Sequence, residues 1–348
     1  MQVRHHLRNF SMIIYMTDRK KFNGIYANLI VEYVKFKQAQ GFKFERIERC
    51  LERFDKFASD RGGETIGISK DLADAWSAPF PLESEKSRYC RISLLRGFSA
   101  YLQTLGYTSY IPVIPKLQNH FIPHIYTNKE LYAIFRECDK LTLDKHFLHS
   151  SKCVIPTLIR VLYGTGIRIS EAIKLTHSDV DFDKGLIKLR ESKNGQDRIV
   201  PMSLSLREVC KDWVAYKQKM GISVDADSPL FTAADGHRIS HSTINHIFRT
   251  ILQRAGIGHG GRGHGPRLHD LRHTFCVNSL VKLSEAGMDL YYSMPILMTY
   301  MGHKCLESTN NYVRLTQEMF PHVTIKMDNA YQCIFPEMNS NLIDEEEI

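Results

Sequence analysis

The sequence of 348 residues has no C-x-x-C pair, no internal repeat, no low-complexity tract and only two tryptophans. Its eight cysteines stand apart at positions 50, 90, 138, 153, 210, 276, 305 and 333. That scatter argues against a zinc ribbon and for reduced thiols in a cytosol. Apolar runs are short. SMIIYM near the start is followed by TDRKK rather than by small residues, which excludes a secretion signal on pattern. No stretch approaches the ~18 apolar residues that cross a bilayer, so the expectation is a cytoplasmic chain with no membrane partner. Negative charge is also in deficit: Lys and Arg number 46 against 38 Asp and Glu, a net charge of +8, and acidic residues crowd into the closing DEEEI. A polyanionic partner suits that balance.

What is present is ordinary globular material, 43% hydrophobic and 24% charged, with length for two domains. The first part reads as helical. Asn23 to Ala39 carries apolar residues at 25, 29, 33 and 36, before Gly41. Glu45 to Arg61 repeats the pattern with Ile47, Cys50, Leu51, Phe54, Phe57 and Ala58. Ser69 caps a short helix through Trp76, stopped by Pro79 and Pro81. Ser84 to Leu105 turns Ile92, Leu95, Phe98 and Leu102 inward and Lys86, Arg88 and Arg91 outward. Such an outer face is either merely solvated or a phosphate contact.

A proline-bearing stretch without periodicity, 109–126, reads as a linker. Thr127 and Glu130 then have capping-box spacing and open a second domain. Helices fit 127–140, 152–163, 205–219, 240–255, 269–286 and 292–301, with another opening in TGIRISEA. GLIKLRES and DRIVPM alternate as short strands around Asn194-Gly195, a hairpin signal. The expected fold is α+β and mostly helical, with a small antiparallel sheet. Its parts are an N-terminal extension (1–22), a helical domain (23–108), the linker, a mixed domain (127–320) and a tail (321–348).

Four segments of the mixed domain carry groups that could meet one phosphate. Arg168 sits at a helix start behind Gly164 and Gly166, where backbone N–H groups and a guanidinium suit an anion. Lys193 lies beside the hairpin tip. His269 and Arg272 in HDLRHTF are three residues apart on one helix face, next to the apolar Leu268, Leu271 and Phe275. His303 and Tyr312 lie in the polar GHKCLESTNNYVRL. Taken singly, each is as well explained as a solvated surface group.

Together, in this order, they resemble the tyrosine recombinases, the bacteriophage integrase family, over about residues 24 to 320. The resemblance implies an enzyme that breaks and rejoins DNA without metal or other cofactor. Arg168 and Arg272 would grip the two non-bridging phosphate oxygens, with His303 adding a hydrogen bond. Tyr312 would attack phosphorus and leave a 3′-phosphotyrosyl link. Lys193 would protonate the departing 5′ oxygen, and His269 would handle the tyrosine's proton. Glu171 would support Arg168. Partners by resemblance are double-stranded DNA recombination sites, four copies of the chain on two sites, and accessory DNA-bending proteins, with the tail exchanged between protomers. The helix 240–255 offers Asn245, Arg249 and Arg254 as further DNA contacts. The loop carrying His259 and His264 reads as DNA-facing rather than metal-binding. Tyr291, Tyr292 and Tyr300 read as packed structural residues.

Two departures matter. The stretch from Arg272 to His303 is longer than usual, and MPILMTYMGH is closer to recombinases of transposons and integrative elements than to chromosome resolvases. Asn194 follows Lys193 where a glycine is common. The favoured role is therefore integration, excision or transposition of a mobile element. A resolvase of the same family, a type IB topoisomerase and a catalytically silent DNA-binding regulator are the alternatives.

Overall fold

A computed structural model describes residues 23–42, 45–62, 65–116, 122–141, 150–190, 197–260, 265–302, 312 and 316. The chain divides into two compact units, 1–121 and 122–348. Among the described residues of the first, four helices pack around aromatic residues: α1 (Ala27–Ala39), α2 (Glu45–Ser59), α3 (Lys70–Ser77) and α4 (Glu85–Thr104). Ser69 and Ser84 cap α3 and α4 by accepting backbone N–H bonds from Leu72 and Ser87. Tyr26, Phe54, Trp76 and Phe98 meet edge-on and tilted in the core. The buried Asp55 carboxylate accepts from the backbone N–H groups of Gly24 and Tyr26, fixing where the chain enters the bundle.

Two expectations are corrected here. Phe36 faces solvent, and α1 instead buries Leu29, Ile30, Tyr33 and Val34. Arg91 is not on the outer face of α4: it is 3% exposed, paired with Glu83 through two guanidinium nitrogens, and lies 3.9 Å over the Phe80 ring. The Glu83 carboxylate, the Ala78 carbonyl and the aromatic walls occupy this guanidinium and shut it off from an external phosphate. Arg88 is half-buried and donates to the Ser77 carbonyl, while Lys86 is exposed. The segment expected as linker is also tied down at both ends. Tyr110 N–H donates to the Ile68 carbonyl, and Tyr126 is buried in the second unit, its N–H on Thr274 Oγ1.

The second unit contains α5 (Asn128–Asp139), α6 (Ile155–Thr165), the single turn α7 (Ile169–Ala172), then strands β1 (Val180–Asp181), β2 (Leu186–Leu189) and β3 (Arg198–Pro201). Helices α8 (Leu204–Lys219), α9 (His241–Arg254), α10 (Asp270–Glu285) and α11 (Leu290–Met301) follow. The capping box of Thr127 and Glu130 forms at α5. The sheet is antiparallel in the order β1-β2-β3, with Val180, Ile187 and Val200 in register on the buried side. A two-residue strand such as β1 is too short to show alternation, so the pattern does not reveal it. The buried Lys217 donates to the Pro229 carbonyl and meets His177 Nε2 at 2.9 Å, joining α8 to the loop before the next helix. No helix among the described residues is long and apolar enough to cross a membrane.

Candidate functional site

Helix α10 packs on both α6 and α11, and the site is built where their ends meet. α6 ends at Gly166, whose φ of 63° is left-handed and whose missing side chain makes room for the Phe275 ring of α10. That close approach brings the next residues against α10. Arg272, on the first turn of α10, is 3% exposed and donates to the Gly166 carbonyl at 2.6 Å. It also donates to the Met301 carbonyl at 2.7 Å. Arg168 reaches the neighbouring Gly302 carbonyl at 3.4 Å. Two arginines more than 100 residues apart in sequence thus reach successive carbonyls at the end of α11. Burial first, and then the Arg168 charge, pull Arg272 down to about 10, which leaves it cationic at neutral pH.

α7, at whose start Arg168 stands, is only four residues long. So short a helix has little dipole to offer, and the anion-binding capacity expected there rests on the arginine charges. They are held by Glu171. Its carboxylate accepts from Arg168 Nη1 at 2.9 Å and from the Arg168 backbone N–H at 2.8 Å. It also takes two bonds from Arg198, at 3.0 and 2.8 Å. Burial alone would raise the Glu171 pKa, but these bonds and charges outweigh it and hold the group at about 2.

Arg198 is a site residue that sequence reasoning missed. It opens β3 on the same face as the buried Val200, so period-two alternation pointed it inward. Its guanidinium packs beneath Gly302, where an added Cβ would come within 3.1 Å of Nη1.

Tyr312 is 4% exposed and sits in an apolar cluster with Ile125, Cys276, Val277, Leu280, Leu297 and Met301. Burial and the Cys276 thiol push its pKa well above the ordinary phenol value; the Arg272 and Arg168 charges oppose this without cancelling it. Its hydroxyl lies 2.9 Å from Nδ1 of His273. His273 is the second missed residue. It falls four after His269 and three before Cys276, so helical periodicity placed it between the polar and buried faces of α10. His269 stands at the N-cap position of α10 and is exposed, and its ring meets that of His273 edge-on at 4.9 Å.

Beside this centre lies a cleft of about 530 Å³, lined among others by His241, Asn245, Arg249, His259, His269 and Arg272. Asn245 and Arg249 therefore share a concave surface with two of the residues predicted to act on phosphate. Asn245 donates to the His241 carbonyl one turn back. Arg254 is exposed in the last turn of α9 and does not line the cleft. Tyr300 donates to the Thr165 carbonyl and stacks on Phe275, whereas Tyr292 is exposed, not packed. Lys193, His303, His264 and the tail 321–348 lie outside the described residues, as does the side chain of Tyr291.

Residues 125–319, more than half of the chain, match the model of the phage integrase family. The chain belongs to that family. It is a tyrosine recombinase, an enzyme of DNA strand breaking and rejoining. A Sinorhizobium fredii protein named as an integrase/recombinase, y4rB, is 28% identical, with 87% of this chain and 97% of that one covered. The tyrosine recombinase XerC of Oceanobacillus iheyensis is 27% identical over 91% of this chain and 98% of its own. Among solved structures, the Tn1549 transposon integrase with circular intermediate DNA superposes with a TM-score of 0.60 at 21% identity, covering 83% of this chain and 95% of that one. That likeness is one of fold, and it agrees with the mostly helical α+β architecture with a small antiparallel sheet.

Proposed function

We propose that this recombinase acts site-specifically on the ends of a mobile DNA element, through a 3′-phosphotyrosyl intermediate formed by Tyr312. The convergence of Arg168 and Arg272 on the backbone just before residue 303, with Tyr312 buried in contact with α10, carries the reading. Two fixed guanidiniums can hold a phosphodiester's non-bridging oxygens and offset the charge that builds there in the transition state. A phenol is a weak nucleophile until deprotonated, and the cationic pair favours its phenolate. Lys193 protonates the leaving 5′ oxygen, His303 adds a donor, and His269 takes part in moving the phenolic proton. Because the covalent link conserves the backbone energy, no nucleotide cofactor is needed.

Asn245 and Arg249, in the cleft next to Arg272, contact the DNA, as do Lys86 and Arg88 of the first unit. The long interval before residue 303 supports the mobile-element role over a resolvase. Four protomers on two DNA sites in the cytosol complete the reaction. The test is strand polarity and joining. Nicked duplexes from the DNA flanking the chain's own gene, labelled at either end, should give a covalent band that keeps the 5′ label upstream of the cut. Two such ends on one plasmid should yield an excised circle. Relaxation of plasmids lacking those ends would instead point to a topoisomerase.

A further inference from the structure

The Tyr312 hydroxyl is buried, so its proton needs a specific acceptor inside the protein. Among the described residues, His273 and Cys276 both reach it. A thiol is a weak acceptor, and burial pushes Cys276 up to about 12, which leaves it protonated. An imidazole nitrogen is the better acceptor. His273 Nδ1 stands at 2.9 Å from the hydroxyl, within reach for proton transfer. Its other nitrogen, Nε2, lies 4.0 Å from Oδ1 of Asp270, a carboxylate with no exposed surface. Asp270 is itself held by the Arg267 backbone N–H and guanidinium, at 2.8 and 2.9 Å. His269 packs against the same imidazole at its outer side.

From this geometry we infer that His273 is a catalytic residue and the direct acceptor of the Tyr312 phenolic proton, with Asp270 facing the imidazolium and His269 leading toward solvent. The inference rests on Tyr312 being the nucleophile. In the forward step the Tyr312 O–H bond breaks, and its proton goes to His273 Nδ1. The phenolate forms the bond to phosphorus, the P–O5′ bond breaks, and the 5′ oxygen takes a proton from Lys193. On rejoining, the 5′-hydroxyl attacks, its proton returns to Lys193, and the departing phenolate recovers its proton from His273.

The deciding experiment uses paired suicide duplexes in EDTA, identical except that one carries sulfur in place of the 5′ bridging oxygen. A thiolate leaves without protonation, since a free thiol has a pKa of about 8.5. Lys193→Ala should therefore recover on the sulfur substrate. His273→Ala and His273→Asn should lose about 10²-fold or more in covalent trapping on both substrates while still shifting DNA on native gels. Asn can keep a hydrogen bond to the hydroxyl but cannot take its proton. Wild-type trapping by His273→Asn would reduce His273 to a structural prop, and sulfur rescue of His273→Ala would move it to the leaving group. Either result overturns the inference. An adduct surviving in Tyr312→Phe would instead overturn the nucleophile itself. Nitrogen NMR of the DNA-free protein decides independently of substrate: neutral His273 should carry its proton on Nε2, and a proton on Nδ1 contradicts acceptance from Tyr312.

Discussion

Glu171 is the residue on which the arginine geometry depends. Its carboxylate is 6% exposed and serves Arg168 and Arg198 at once. Its folded pKa of about 2 lies below the ordinary 4.5, so it stabilises the fold above pH 4.5, and this is lost as pH falls toward 2. The shift corresponds to about 3 kcal/mol. Glu171→Gln should flatten the loss of stability between pH 5 and 2 in urea titrations and lower the stability at pH 7 by a similar amount. A second residue separates packing from DNA contact. Arg91→Ala should destabilise the protein by about 2 kcal/mol, because it strips the half-buried Glu83 carboxylate of its charged hydrogen bonds and removes the guanidinium packed on Phe80. Lys86→Ala should leave stability within about 0.5 kcal/mol. Chemical denaturation of both variants checks the pair. The inward direction of Arg91 was legible: it precedes Leu95 by four, Phe98 by seven and Leu102 by eleven, the spacing of one helical stripe. Its charge argued the other way, and the compensating Glu83 lies in the turn before α4, which periodicity does not reach. Arg198 was likewise placed inward by period, and His273 at the edge of the buried face, but their contacts join segments far apart in sequence. No spacing rule encodes those.

At the scale of elements, the junction of α6, α7 and α10 fixes the site. Gly166 combines a left-handed φ with contact against Phe275. An alanine there should cost about 2 kcal/mol or more from the backbone conformation and crowding together. Thermal unfolding of Gly166→Ala measures the cost. Cleavage should fall further than stability does, since Arg272 takes its position from the Gly166 carbonyl. Caps and glycines made most of these elements readable: Ser69, Ser84 and Thr127 all cap as their spacing suggests. β1 and the shortness of α7 were not readable, because two to four residues are too few to show a period.

For the whole molecule, the excess of eight positive charges has a consequence for DNA binding. Each phosphate neutralised releases counterions, so the log of affinity should fall linearly with the log of salt. With several arginines and lysines engaged, affinity for DNA should drop by about tenfold or more between 50 and 200 mM salt. Arg249→Ala should make the slope shallower by about one unit. Filter binding over a salt series checks both, and a flat profile would rule out a phosphate-dominated interface.

On the proposed mechanism, Tyr312 forms the bond to DNA. This is tested most directly by trapping the covalent complex on a nicked duplex, digesting it with trypsin and nuclease, and weighing the peptides. Residues 305–314 form one tryptic peptide whose single tyrosine is Tyr312. The prediction is a nucleotide mass on that peptide, located at the tyrosine by fragmentation and lost in Tyr312→Phe. The same mass on a peptide carrying Tyr292, Tyr300 or another tyrosine, with 305–314 unmodified, would contradict the account.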